Sequence, residues 1–245
     1  LELGITCWIG AKTEQEGSTT VPSRTFVDLI NTLPNDQVEM DLSVRTQVLN
    51  VRSGPFTNDI KCIDAQEFPP MLPPELDGGI MIPAEELKEM IAHVVFAASH
   101  DDARPVLTGL LVSIDSGEMT LAAADGYRLS VRTAHLSTPD VSMPSSIIPA
   151  RAMSELMRVL GDGDETVTMI LPPDRGQVVF RTKSIELVSQ LIEGSYPDFQ
   201  SIIPDSYKTR AMVNTTAFLK ACKAADIFAR ESAHSARLRM VPGPG

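Results

Sequence analysis

Aromatic residues are scarce in this chain: 5% of 245 residues, with one Trp and three Tyr. A core must therefore be built from Leu, Ile, Val, Met and Ala, and the 43% hydrophobic content is enough to build one. The three cysteines, Cys7, Cys62 and Cys222, are odd in number and far apart. They lack metal-ligand spacing, so they are expected to be reduced, buried thiols of a cytoplasmic protein, with no metal and no cofactor. No uninterrupted apolar run is long enough to span a membrane, and no signal peptide is visible. There are four His, and no G-x-S-x-G, Walker loop, GxGxxG or HExxH motif. The net charge of −11 argues, taken alone, against a nucleic-acid binder. A sum of charges, however, does not say how they are distributed over faces. The start at Leu1 without Met and the end in "VPGPG" both read as cut ends.

What is present is a repeat. "TVPSRTFVDLINTLPND" and "IIPARAMSELMRVLGDGD" both read strand, Pro, x, Arg, helix, turn. Phe26, Leu29, Ile30 and Leu33 in the first copy match Met153, Leu156, Met157 and Leu160 in the second, the spacing of an amphipathic helix. Pro22 recurs as Pro149, Val51 as Phe180, Pro69 as Pro197, Leu87 as Leu219 and Phe96 as Phe228. These separations drift only from 127 to 132 residues, as small loop insertions would produce. The expected organisation is 1–78 as the back part of one copy, 79–205 as a whole copy and 206–245 as the front part of a third. The whole copy reads twice as strand, helix, three strands. The first reading has a strand at 79–82, a helix at 83–97 and strands near Leu110, Met119 and Tyr127. The second has a strand at 146–148, a helix at 149–160 and strands near Val167, Val178 and Ile185. Alternating strands joined by tight turns predict antiparallel sheets, and two helices packed on them give an α+β domain.

"VPSRTF", "RPVLTGLL", "AAADGYRLSV", "IIPARAMSELMRVL", "LIEGSYPDFQSIIP" and "LKACKAADIFARES" together resemble the bacterial DNA polymerase III beta subunit, the sliding clamp. The resemblance implies repeated clamp domains, each of two β-α-β-β-β units with helices on one face. It implies a non-catalytic processivity factor of chromosomal replication that encircles duplex DNA without reading its sequence. It also implies partners: the replicative polymerase with its 3′–5′ exonuclease, the clamp loader and repair proteins, all bound through short linear motifs. In the full-length family two chains close a homodimeric ring; residues 1–245 alone are not expected to close one.

By the same resemblance, Leu107, Ala124, Gly126, Tyr127, Arg128, Leu129, Pro197, Ser201 and Ile202 form a peptide-binding groove. Read from pattern alone, Tyr127 and Arg128 simply alternate on an exposed strand after an Asp-Gly turn. Arg24, Lys88, Arg104, Arg151, Arg158, Lys220 and Lys223 are the expected DNA-facing cations. Arg24 and Arg151 are favoured because they hold the same repeat position just inside a helix start. "SHDDARPVL" at 99–107 and "GDGDE" at 161–165 mimic metal loops but lack a full ligand set, and read as polar turns. Two other classes remain open. One is a peptide-binding repeat protein that does not touch DNA; the other is a hydrolase using His100, Asp101 and Asp125.

Overall fold

The computed structural model describes residues 2–68, 78–137, 141–161, 166–173, 175–230 and 235–241. Pro69 of the repeat and residues 162–165 of the acidic turn lie outside these. The chain divides into two compact units, Leu1–Pro197 and Asp198–Gly245.

The first unit contains β1 (Leu3–Cys7), β2 (Thr19–Thr20), α1 (Ser23–Thr32), β3 (Glu39–Ser43), β4 (Val48–Ser53), β5 (Phe56–Lys61) and β6 (Ile63–Asp64). Next come β7 (Ile80–Pro83), α2 (Ala84–Val94), β8 (Gly109–Asp115), β9 (Glu118–Ala124) and β10 (Leu129–His135). Then follow β11 (Met143–Pro149), α3 (Ala150–Val159), β12 (Thr166–Ile170), β13 (Gln177–Arg181) and β14 (Ile185–Gln190). The expected strand-helix-three-strand order is thus present twice, from β7 and from β11. The expected helix 83–97 ends its α-helical part at Val94 and finishes as a 3-10 turn, Val95–Ala97. All ladders among the described residues are antiparallel, so the α+β expectation holds.

Pro22, Pro83 and Pro149 stand immediately before α1, α2 and α3. Each has a φ between −51° and −60° and an extended ψ, so the chain leaves its strand and turns directly into a helix. The missing proline N–H is no loss at such a boundary.

The sheets are β10-β9-β8-β11 and β1-β14-β13-β12-β7. Each leading strand therefore pairs in the sheet of the other half: β7 with β12, and β11 with β8. This exchange ties the two halves into one core. Leu87, Met90, Ile91 and Val94 of α2 and Met153 and Leu156 of α3 meet Leu110, Leu121, Val167 and Leu187 of the two sheets. Phe180 is the one aromatic side chain in the buried core among the described residues, in keeping with the scarcity of aromatics. β3, β4 and β5 form a separate three-stranded sheet under α1, around Leu49, Val51 and Ile60.

In the second unit, a 3-10 turn, Gln200–Ile202, precedes α4 (Thr215–Ala229). The Asn214 side chain caps α4 by accepting from the Ala217 N–H at 3.0 Å.

The cysteines correct one expectation. All three are free, but Cys7 and Cys222 are exposed and Cys62 is half-buried. Cys7 ends β1, which lies at a sheet edge, and Cys222 sits on α4, whose one buried residue is Ala229.

Candidate functional site

The β9–β10 hairpin pairs Ala124 with Leu129, which leaves a loop of four residues, 125–128. The turn is thus wider than a two-residue Asp-Gly turn. Tyr127 stands on this loop, not on a strand, and is 98% exposed. The strand reading of Tyr127 and Arg128 is corrected here: the Asp125 carboxylate captures the chain before pairing can resume. It accepts from the backbone N–H of Tyr127 at 2.9 Å and of Arg128 at 3.0 Å, and from Arg128 Nε at 2.9 Å. This is the Asx-turn chemistry that competes with a ladder. The Tyr127 N–H holds the Asp125 carboxyl below its ordinary value; partial desolvation opposes this, and the bonds and charge of Arg128 add to it. Gly126 has φ +92°, a conformation that side-chain-bearing residues rarely adopt.

Two flanking groups complete the loop. The Arg128 guanidinium lies over the Phe96 ring, 5.7 Å from its centroid. A Cβ on Gly126 would meet Arg104 Nη1 at 3.2 Å, so the segment 99–107 reaches the hairpin tip. Arg104, expected to face DNA, thus stands beside Gly126 of the expected groove. Asp101 shapes that segment by accepting from the Ala103 N–H at 3.0 Å and from Arg104 Nε at 3.3 Å. The Ser99 N–H donates to the Leu107 carbonyl at 2.8 Å and closes its base. Leu107 is buried, Ala124 and Leu129 are half-buried, and Pro197 is exposed. Phe96 escaped the sequence reading, which used it only as a repeat marker. An aromatic residue at a helix end, in a chain so poor in them, was the available signal. Ser201 and Ile202 belong to the second unit, on its 3-10 turn, and both are exposed.

The basic residues divide into two groups. Lys88 pairs with Glu85 at 3.2 Å, Arg158 with Glu155 at 3.2 Å and Arg104 with Asp101 at 3.3 Å, so their charge is locally balanced. Arg24 and Arg151 are each the second residue of a helix, and both are exposed. Neither makes an ion pair among the described residues. Lys220 and Lys223 are exposed on α4. As for the hydrolase set, Asp101 and Asp125 are both occupied as turn caps, and His100 is exposed. Among the described residues no group of three or more His, Cys, Asp or Glu could hold a metal.

Two exchanged β-α-β-β-β halves with an ordered hairpin at one end define an α+β repeat domain. Residues 81–198 match the family model described as DNA polymerase III beta subunit, central domain. The beta sliding clamp of Bacillus subtilis strain 168 is 36% identical over 219 residues, 89% of this chain and 57% of that protein. The beta sliding clamp of Staphylococcus epidermidis strain RP62A is 33% identical over 90% of this chain and 58% of its own length. The crystal structure of the Bacillus subtilis DNA polymerase sliding clamp superposes with a TM-score of 0.84 at 32% identity, covering 94% of this chain and 62% of that one. The chain is thus similar to DNA polymerase III beta subunits over most of its length, and it spans a little over half the length of these relatives.

Proposed function

We propose that this chain is part of a DNA sliding clamp: a non-catalytic processivity factor that encircles duplex DNA and tethers a DNA polymerase to it. The observation that carries this reading is the match of residues 81–198 to the central-domain model, with similarity continuing over 89% of the chain. In this reading 79–205 is the complete middle domain, 1–78 the back part of the first and 206–245 the front part of the third. The whole protein closes as a homodimeric ring in the bacterial cytoplasm. No helix among the described residues is long and apolar enough to cross a membrane.

The hairpin 124–129, with Leu107 and Pro197, docks short apolar motifs of the replicative polymerase, the clamp loader and repair proteins. An exposed aromatic, apolar side chains and an Arg at the rim suit a small peptide anchor. Arg24 and Arg151, with Lys88, Arg104, Arg158, Lys220 and Lys223, meet phosphates without reading bases. Such attachment is salt-sensitive and permits sliding. The test is binding to a duplex of arbitrary sequence at several salt concentrations. The reading expects affinity that ignores sequence and falls steeply with salt, and a shallower salt slope for Arg151→Glu. A second reading, a peptide-binding repeat protein that does not touch DNA, draws on the net charge of −11 and the internal pairing of Lys88, Arg104 and Arg158. Retained peptide binding with no DNA binding at low salt favours it.

A further inference from the structure

Residues 191–197 leave β14, pass the edge strand β11 and reach the end of β9. The Ile192 N–H donates to the Ile147 carbonyl at 2.8 Å, and a Cβ on Gly109 would meet Ile192 Cδ1 at 2.9 Å. Gly194 has φ +133°, and a Cβ there would lie 2.7 Å from Val106 Cγ1. The Tyr196 hydroxyl then accepts from the Ala124 N–H at 2.9 Å. The segment thus approaches this end of the sheet at Ile192, Gly194 and Tyr196, with a bend at Gly194. Ala124 is the last residue of β9, and the β8–β9 pairing stops at Leu111 and Ala122. Tyr196 thus supplies an acceptor at a place where β8 offers none. An N–H left there without a partner is costly. Burial raises the pKa of the Tyr196 phenol above its ordinary value, against the opposing effect of the Ala124 N–H, so the ring stays neutral.

We infer that Tyr196 is a positioning residue: by holding the end of β9 it fixes the loop 125–128 in the geometry that receives a partner peptide. This rests on the docking role proposed above for that hairpin. It acts through Ala124, and it makes the strap 191–197 a determinant of the hairpin's shape.

The experiment combines amide exchange by NMR with fluorescence titration, using a labelled peptide copied from the clamp-binding segment of a replicative polymerase. The proteins are this chain, Tyr196→Phe and Leu129→Ala. Tyr196→Phe keeps the ring and removes the acceptor. The expected result is faster exchange at Ala124, shifts concentrated in residues 122–130, and peptide affinity lower by about three- to tenfold. Unchanged Ala124 exchange overturns the inference. Faster exchange with unchanged affinity, in a chain whose binding does fall on Leu129→Ala, overturns the positioning role. If Leu129→Ala leaves binding intact, the docking reading fails instead, and Ala124 exchange alone decides whether Tyr196 holds the hairpin.

Discussion

α1 with β3–β5 and α3 with β12–β14 are written in the same pattern but buried to different depths. Both helices have ten residues, both follow a proline, and both carry Arg at the second position. Ala152, Met153 and Leu156 of α3 are buried, whereas α1 has no buried residue. α3 packs in one core with α2, and its sheet has five strands; the sheet beneath α1 has three. Amphipathic spacing determines which face of a helix is apolar. How much that face contributes depends on what the rest of the fold brings to it.

The largest expected effect lies in that contrast. Leu156→Ala should cost about 2–5 kcal/mol, because it opens a cavity in a closed core. Leu29→Ala, at a half-buried position, should cost roughly 1 kcal/mol. Urea unfolding of the two variants measures the difference; equal losses would break the comparison. Hydrogen exchange sharpens it: α1 amides should exchange well before those of α3, since local stability follows burial.

A smaller effect concerns the matched arginines. If both copies contribute to phosphate attachment, Arg24→Glu and Arg151→Glu should each lower the slope of log K against log salt by about one. An effect confined to Arg151→Glu would separate the copies in function as well as in burial.

The smallest contrasts two hairpins. The β4–β5 turn is made by Gly54, at φ +54°, and Pro55, and has no carboxylate. The β9–β10 loop is held by Asp125, whose pKa lies below the ordinary 3.8. A depressed carboxylate stabilises the folded loop above its unfolded pKa, and that contribution is lost as pH falls through the folded value. In an NMR titration from pH 5 downward, the Tyr127 and Arg128 amides should shift below pH 3.8 while those of Gly54 and Phe56 stay in place.

The pattern of local elements was legible because it rests on short-range periodicity. The prolines before three helices, the apolar positions of α3 and the eight strands of the whole copy could all be read directly. The exchange of β7 and β11 between sheets could not, since pairing across 29 to 89 residues leaves no local trace. Tyr127 was misplaced on a strand because Asp125 offers the backbone bonds that compete with the ladder. Cys7 was misplaced in the core because composition does not reveal a sheet edge. Arg104 at Gly126, Phe96 beneath Arg128 and Tyr196 at Ala124 all depend on elements distant in sequence.

In the function proposed above, the loop that closes at Leu129 receives partner peptides while the pattern-matched first copy does not. Titration of the labelled polymerase peptide into the unaltered chain, Leu129→Ala and Leu29→Ala tests it directly. The expected result is a loss of about 1–2 kcal/mol, roughly 5- to 30-fold, for Leu129→Ala and no change for Leu29→Ala. Undiminished binding by Leu129→Ala, or an equal loss for Leu29→Ala, would contradict it.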